Sequence, residues 1–142
     1  ATAAYGILNC KTNMLKFAGA GHPPALLKKS DRTCTLLDSE GPLLGVFDKE
    51  NDFHQSEIQL DPGDTLLVYS DGFENIFSSP ANDAGNSSTY LKEMSRFCDD
   101  AGGDVICKMN NFLDNSNSLA SDDLTMICLQ TSHQSTSSMA AA

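Results

Sequence analysis

The stretch GDTLLVYSDGF, residues 63–73, contains the most apolar run of the chain at its centre. A short apolar run bounded by turn residues is typical of a buried strand, which we predict over residues 65–70. A turn with Pro62 at its second position precedes this strand, and Asp71 and Gly72 follow it. We therefore predict a central strand that ends at an acidic residue in a turn.

Upstream of this strand, short runs that alternate apolar with polar residues are separated by turn residues. This pattern is typical of an antiparallel meander. Polar turns at residues 11–13 and 30–32 predict two hairpins. The predicted upstream strands comprise residues 2–8, 14–18, 25–28, 33–37 and 57–60.

Downstream, the apolar period changes from two to 3.6 residues after a polar loop at residues 78–88. Apolar positions recur at helical spacing over residues 90–98 and 105–113, and Asp104 is a suitable N-cap for the second helix. A last strand is predicted over residues 124–130. The predicted fold class is therefore α+β, an antiparallel sheet with flanking helices.

The domain is predicted to occupy residues 1–130. The remaining residues, 131–142, form a tail rich in Ser and Ala that we expect to be disordered.

Composition and charge exclude several classes of function. The 142 residues are 40% hydrophobic, as expected of one globular domain, and no apolar stretch suits membrane insertion. Nine Lys and Arg against 19 Asp and Glu give a formal charge of −10, whereas nucleic-acid binding requires clustered cations. Five cysteines without a Cys-x-x-Cys pair favour a reducing compartment. We expect a cytoplasmic protein without a nucleic-acid partner.

Two aspartates stand at the ends of predicted strands. Asp71 closes the strand at residues 65–70, and Asp122 precedes the strand at residues 124–130. If these strands are antiparallel neighbours in one sheet, Asp71 and Asp122 lie at the same edge. Carboxylate oxygens that converge there would suit Mg²⁺ or Mn²⁺. The alternative is that both residues only form turns and caps, a common role of Asp at strand ends.

Four motifs occur in a fixed order along the chain. They are AGHPPALL (20–27), GPLLG (41–45), GDTLLVYSDGFE (63–74) and DDLT (122–125). With these motifs the chain resembles the SpoIIE-type phosphatases, the bacterial branch of the metal-dependent serine/threonine protein phosphatases, or PPM superfamily. The resemblance implies the C-terminal part of a four-layer αββα sandwich made of two packed antiparallel sheets with helices outside.

The resemblance also implies a function. Asp71 and Asp122 match metal ligands of the family, whose complete site holds two Mn²⁺ or Mg²⁺ ions and uses a metal-activated water to hydrolyse phosphoserine or phosphothreonine. The implied substrate is a phosphorylated regulatory protein, in sigma-factor regulation or similar bacterial signalling. The implied partners are an upstream sensor or receiver domain, and a homodimer is a further candidate assembly.

One motif of the family is not found. Its first metal-binding motif is Gly-Asp followed by an aromatic and another acidic residue, and neither Asp64 nor Asp104 is followed by an aromatic residue. Because the chain also starts at Ala1 without Met, we expect the C-terminal part of a phosphatase domain that lacks its N-terminal half and is incomplete as a catalyst. The alternative is a noncatalytic phosphatase-like module that binds a phosphoprotein or another partner.

Three further residues near the motifs have two interpretations each. We interpret His22, in the Gly-His-Pro-Pro turn, as placing a strand rather than as a catalytic group. Glu74 is either a support of the site through water or an exposed turn carboxylate. Asp123 either orients Asp122 and the metal waters or caps the loop.

Overall fold

The computed structural model describes residues 1–37, 41–46, 53–77, 94–96, 105–115 and 123–132. These residues form two antiparallel sheets with helical segments against one of them. The strands are β1 (Ala3–Asn9), β2 (Met14–Ala20), β3 (Ala25–Lys28), β4 (Cys34–Leu37), β5 (Gln55–Gln59), β6 (Thr65–Tyr69) and β7 (Met126–Gln130). The helices are α1 (Gly72–Phe77) and α2 (Val105–Asn115). The first sheet has the order β1-β2-β5, and the second has the order β4-β3-β6-β7.

The predicted α+β class is confirmed, and each predicted strand corresponds to a strand of the structure with ends that differ by at most two residues. The helix predicted over residues 105–113 is α2. Of the helix predicted over residues 90–98, residues 94–96 are helical, and the rest lies outside the described residues. The loop at residues 78–88 and Asp104 also lie outside them.

Helix α1 was not predicted, because Gly72 was interpreted only as a turn residue. The helix begins at Gly72, and its next residue, Phe73, is buried in the core beside Tyr69 at the end of β6. The two rings are in edge-to-face contact with their centroids 6.4 Å apart. Burial of this one aromatic side chain orients the short helix, an effect that a six-residue pattern does not reveal.

The meander prediction is wrong, because the chain crosses between the sheets. Strand β5 pairs with β2 in the first sheet, whereas β6, which follows it directly, pairs with β3 and β7 in the second. The difference follows from their apolar patterns. β5 is largely exposed and can form a sheet edge, whereas β6 is apolar at every position after Thr65 and requires burial on both faces.

The two faces of β6 contribute to two hydrophobic clusters. Leu67 and Tyr69 pack with the helical segments, in a cluster that includes Phe73, Met94, Val105 and Met109. Leu66 packs with the first sheet, in a cluster that includes Leu15, Phe17 and Leu27. The second sheet is therefore the middle layer of the described structure, with helices on one face and a sheet on the other.

A buried carboxylate links the turn before β6 to the β3–β4 hairpin. Asp64 is 1% exposed and accepts hydrogen bonds from Lys29 Nζ at 2.7 Å, from the Ser30 amide at 2.9 Å and from the Asp61 amide at 2.8 Å. Lys29 also donates to Asp61 at 2.9 Å. Because the carboxylate has several donors, one of them cationic, its charge is compensated where it is buried.

Thr131 joins the same turn from the end of β7. Its carbonyl accepts from the Gly63 amide at 2.8 Å, and its amide donates to the Asp64 carbonyl at 3.0 Å. The Thr131 hydroxyl donates to the carbonyls of Asp61 and Asp64. Thr131 is therefore anchored to the turn before β6, and the tail predicted over residues 131–142 lies outside the described residues from residue 133 on.

Large apolar side chains are exposed on two strands at one side of the sandwich. On β1, Tyr5 is 66% exposed and Ile7 is 52% exposed, and on β7 Ile127 is 62% exposed. Among the described helices, none has the length and apolar character needed to cross a bilayer.

Replacing the cation beside Asp64 should destabilise the fold. We expect Lys29→Met to lower the free energy of unfolding by about 1.5–3 kcal/mol, because a buried carboxylate loses a charged donor. Lys16→Met is the matched control. It removes the exposed Lys16–Glu57 ion pair and should cost less than about 1 kcal/mol. Urea unfolding of both variants measures the difference, and equal losses would contradict the proposed importance of the Asp64 contact.

The same contact predicts a dependence on pH. The hydrogen bond to Asp64, followed by that to Asp61, raises the pKa of Lys29. A group whose pKa is raised by folding contributes stability that is fully present when the pH is below the pKa of the unfolded state, about 10.4 for Lys. This contribution is lost as the pH rises through the higher pKa of the folded state. The difference in unfolding free energy between wild type and Lys29→Met should therefore be constant at neutral pH and shrink above about pH 10.4. A difference that grows with alkaline pH would contradict this.

The exposed apolar side chains should make the 142-residue chain self-associate when it is produced alone. We expect light scattering to show a mass that rises with concentration, and less association for a Tyr5→Thr/Ile7→Thr double variant. Gln55→Thr, an exposed position on the same sheet, is the control and should not change the association. A monodisperse wild-type monomer would contradict the prediction.

Candidate functional site

The site is built on the pairing of β6 with β7. The strands are antiparallel, with Tyr69 opposite Met126 and Thr65 opposite Gln130. The end of β6 therefore lies beside the start of β7, which confirms the geometric premise of the sequence analysis. Asp71 lies at this edge just after β6, and Asp123 lies there just before β7.

Ser70 connects the two segments at this edge. Its amide donates to the Thr125 carbonyl at 2.9 Å, which continues the β6–β7 ladder beyond the strand ends. Its hydroxyl donates to the Asp123 carbonyl at 3.0 Å and accepts from the Thr125 amide at 3.0 Å. Three hydrogen bonds thus hold residues 123–125 against the residue that precedes Asp71.

Gly72 allows the same two segments to approach closely. A Cβ atom at this position would lie 2.7 Å from the Asp123 carbonyl oxygen and 3.0 Å from Cδ2 of Leu124. Contacts this short are not tolerated, so only glycine fits without a shift of the backbone. The Ser70–Asp71–Gly72 sequence is therefore shaped to receive residues 123–124.

The predicted site residues are placed as follows. Asp71 is exposed at the edge, directly after Ser70. Asp122 lies outside the described residues, although Asp123, its neighbour in the chain, is at this edge. The side chain of Glu74 also lies outside the description. The assignment of Asp71 and Asp122 as metal ligands stays a prediction.

The groups at this edge match hard divalent cations in kind. Asp71 and Asp123 carry carboxylates, and Mg²⁺ and Mn²⁺ prefer oxygen ligands. Within the part of the chain that is described, no group of three or more His, Cys, Asp or Glu side chains is arranged to hold a metal. The carboxylates at this edge are therefore of the chemical type that such a cation binds.

His22 lies near the same edge. It lines a cavity of about 270 Å³ between the sheets, together with Ser70, Thr125, Val68 and Ile127. The preceding residue, Gly21, has a φ of +57°, and its amide donates to the Gly41 carbonyl at 2.8 Å. The Gly-His-Pro-Pro turn thus joins the GPLLG motif, and the interpretation of His22 as a residue that places a strand stays a prediction.

The sequence analysis assigned no role to three residues that lie beside the two ends of β6. Asp64 belongs to a Gly-Asp pair, but its carboxylate is buried on Lys29 and backbone amides, so it is a structural residue. Lys29 and Ser70 were missed because their partners are 35 and 53 residues away in the sequence. The one local signal was the position of Ser70 inside the Ser-Asp-Gly motif.

A curated relative is similar to about half of the chain. It is the phosphoserine phosphatase RsbP of Bacillus subtilis, which is 32% identical over 71 residues, 50% of this chain. These residues are 17% of the length of RsbP, so the chain spans a minor part of that relative.

Solved structures show the same fold over nearly the whole chain. The RsbU and RsbW domains of Rv1364c from Mycobacterium tuberculosis match with a TM-score of 0.71 and 23% identity, over 92% of this chain and 37% of that one. The phosphatase domain of SpoIIE from Bacillus subtilis matches with a TM-score of 0.66 and 20% identity, over 94% of this chain and 60% of that one. The described sheets and helices are therefore those of a phosphatase-domain fold.

The family model of Stage II sporulation protein E (SpoIIE) matches residues 1–132, which include every strand and helix described above. The chain belongs to the SpoIIE family, whose solved relatives are PP2C-like (PPM) phosphatase domains.

Proposed function

We propose that the protein containing this chain hydrolyses phosphoserine or phosphothreonine on a regulatory protein, with Mn²⁺ or Mg²⁺ as the cofactor. The observation that carries the proposal is the edge where Ser70 binds residues 123–125 and Asp71 is exposed. The family provides the reaction class, and the phosphoserine phosphatase RsbP is a relative of matching specificity.

Two relatives of the same fold support the choice of metal. The SpoIIE phosphatase domain has been solved after presoaking with manganese, and RsbX has been solved in complex with magnesium. Their TM-scores against this chain are 0.65 and 0.58. The donors at the Asp71 edge are of the oxygen type that these cations prefer.

The residues of this chain would act by binding the cation and by orienting the groups that bind it. Asp71 would bind a cation through its carboxylate, and Asp122, the residue before the segment 123–125, would contribute a second carboxylate. When bound, two divalent cations supply an activated water and neutralise charge on the phosphoryl oxygens. No nucleophilic side chain is required, so the reaction depends on the positions of the acidic residues.

The proposed substrate is a phosphorylated regulatory protein, as in sigma-factor signalling, and we place the reaction in the cytoplasm. The support is the similarity to RsbP and to the RsbU and RsbW domains of Rv1364c. The contrasting function is a module that binds a phosphoprotein without turnover.

Phosphate release decides between these two functions. We expect the full-length protein to release phosphate from a phosphoserine protein in the presence of Mn²⁺, and a chelator to stop the release, because the water is activated by the metal. A malachite green assay measures the phosphate. Binding of the phosphoprotein without release, at any Mn²⁺ concentration, would favour the noncatalytic module.

The role of Asp71 is tested by Asp71→Asn in the full-length protein. We expect hydrolysis to fall to the background rate because the carboxylate charge is lost, while circular dichroism and the melting temperature stay close to wild type because the side chain is exposed. Asp114→Asn, at an exposed position of α2, removes the same charge and should keep full activity. Wild-type turnover in Asp71→Asn would refute the assignment.

A further inference from the structure

We propose that Ser70 is a positioning residue of this site, whose hydroxyl fixes residues 123–125 relative to Asp71 and thereby sets the affinity for the divalent cation. The inference rests on the proposed function. It assigns to Ser70 a role through its neighbours, without contact to the metal or the substrate.

The hydrogen-bonding capacity of the Ser70 hydroxyl matches this role. A hydroxyl has one donor and two acceptor positions. Here the donor is used on the Asp123 carbonyl, and one acceptor is used by the Thr125 amide, both at 3.0 Å. One side chain therefore binds two backbone groups of the same segment, two residues apart. The two bonds restrain the orientation of this segment as well as its distance from Ser70.

Because of the position of Ser70, these two hydrogen bonds also affect the acidic residues. Asp71 is the next residue in the chain, so its Cα lies about 3.8 Å from that of Ser70. The Asp123 carbonyl accepts one of the two hydrogen bonds, and Asp122 is the preceding residue in the chain. A movement of residues 123–125 away from Ser70 would change the separation of the acidic groups on the two segments.

Other contacts also hold this segment at the edge, and Leu124 packs against the core cluster that includes Phe73 and Met109. Strand β7 begins at Met126, so residues 123–125 lie beyond its ladder. The Ser70 amide bond to Thr125 and the packing of Gly72 against residues 123–124 would remain after loss of the hydroxyl. These contacts would keep the segment near β6, but the two hydrogen bonds of the hydroxyl, to the Asp123 carbonyl and from the Thr125 amide, would be lost, so we expect a looser orientation.

The opposite end of the same strand pair offers a matched control. The Thr131 hydroxyl donates to the Asp61 and Asp64 carbonyls, so it also links β7 to the chain beside β6. The two hydroxyls are separated by the five residues of β6, a length of about 17 Å at about 3.4 Å per residue. Thr131→Val therefore removes a comparable hydrogen bond far from Asp71.

The test is Mn²⁺ binding to the full-length protein, measured by isothermal titration calorimetry without substrate. We expect Ser70→Ala to raise the Kd for Mn²⁺ by about 10–100-fold, the usual effect of removing a group that orients metal ligands, and Thr131→Val to change it by less than about twofold. Melting temperatures should fall in both variants. An unchanged Kd in Ser70→Ala, or an equal rise in Thr131→Val, would overturn the proposal.

A second pair of variants tests the same role if Ser70→Ala fails to fold. Threonine and valine have nearly the same shape, and only threonine keeps the hydroxyl. We expect Ser70→Thr to bind Mn²⁺ more tightly than Ser70→Val by about tenfold or more. Equal affinity in the two variants would refute a role of the hydroxyl.

The outcomes separate this inference from the proposed function. If the wild-type protein binds Mn²⁺ and loses no affinity in Ser70→Ala or Ser70→Val, only the positioning role fails. If the wild-type protein does not bind Mn²⁺ or Mg²⁺, both proposals fail together.

Discussion

The burial of β6 on both faces is the constraint on which the other elements depend. Leu67 and Tyr69 pack with the helical segments, and Leu66 packs with the first sheet. Each large apolar side chain removed from water contributes about 1.5–3 kcal/mol, so the strand is stable only in the middle of a layered structure. Its neighbours, β3 and β7, are held in register with it, and both of its ends meet the rest of the chain in defined turns.

The two ends of β6 place an aspartate in opposite environments. Before the strand, Asp64 is buried, and its charge is compensated by Lys29 and by backbone amides. After the strand, Asp71 is exposed beside residues 123–125. One end therefore stabilises the fold, whereas the other leaves a carboxylate accessible to a ligand. This division is consistent with a phosphatase site at the Asp71 end, in a chain that belongs to the SpoIIE family.

The precision of such a site depends on contacts distant in sequence. Metal ligands on two separate segments require a fixed separation, and a sheet edge alone provides it only for residues inside the ladder. Asp71 and residues 123–125 lie just beyond the ladder. The Ser70 hydroxyl and the absence of a Cβ at Gly72 extend the order of the sheet by these few residues, which is the structural basis for assigning Ser70 a positioning role.

Local pattern by itself determined where the strands and α2 lie, because alternation, apolar runs and turn residues act within a few positions. It also determined that Asp71 stands at a strand end, and the pairing of β6 with β7 confirmed that the end of β6 and the start of β7 share an edge. Only the tertiary structure decided that β5 and β6 belong to different sheets, that Gly72 begins a helix around the buried Phe73, and that Asp64 is structural. The contacts of Lys29 and Ser70 join residues 35 and 53 positions apart, and such pairs are selected by the packing of the layers rather than by the local sequence.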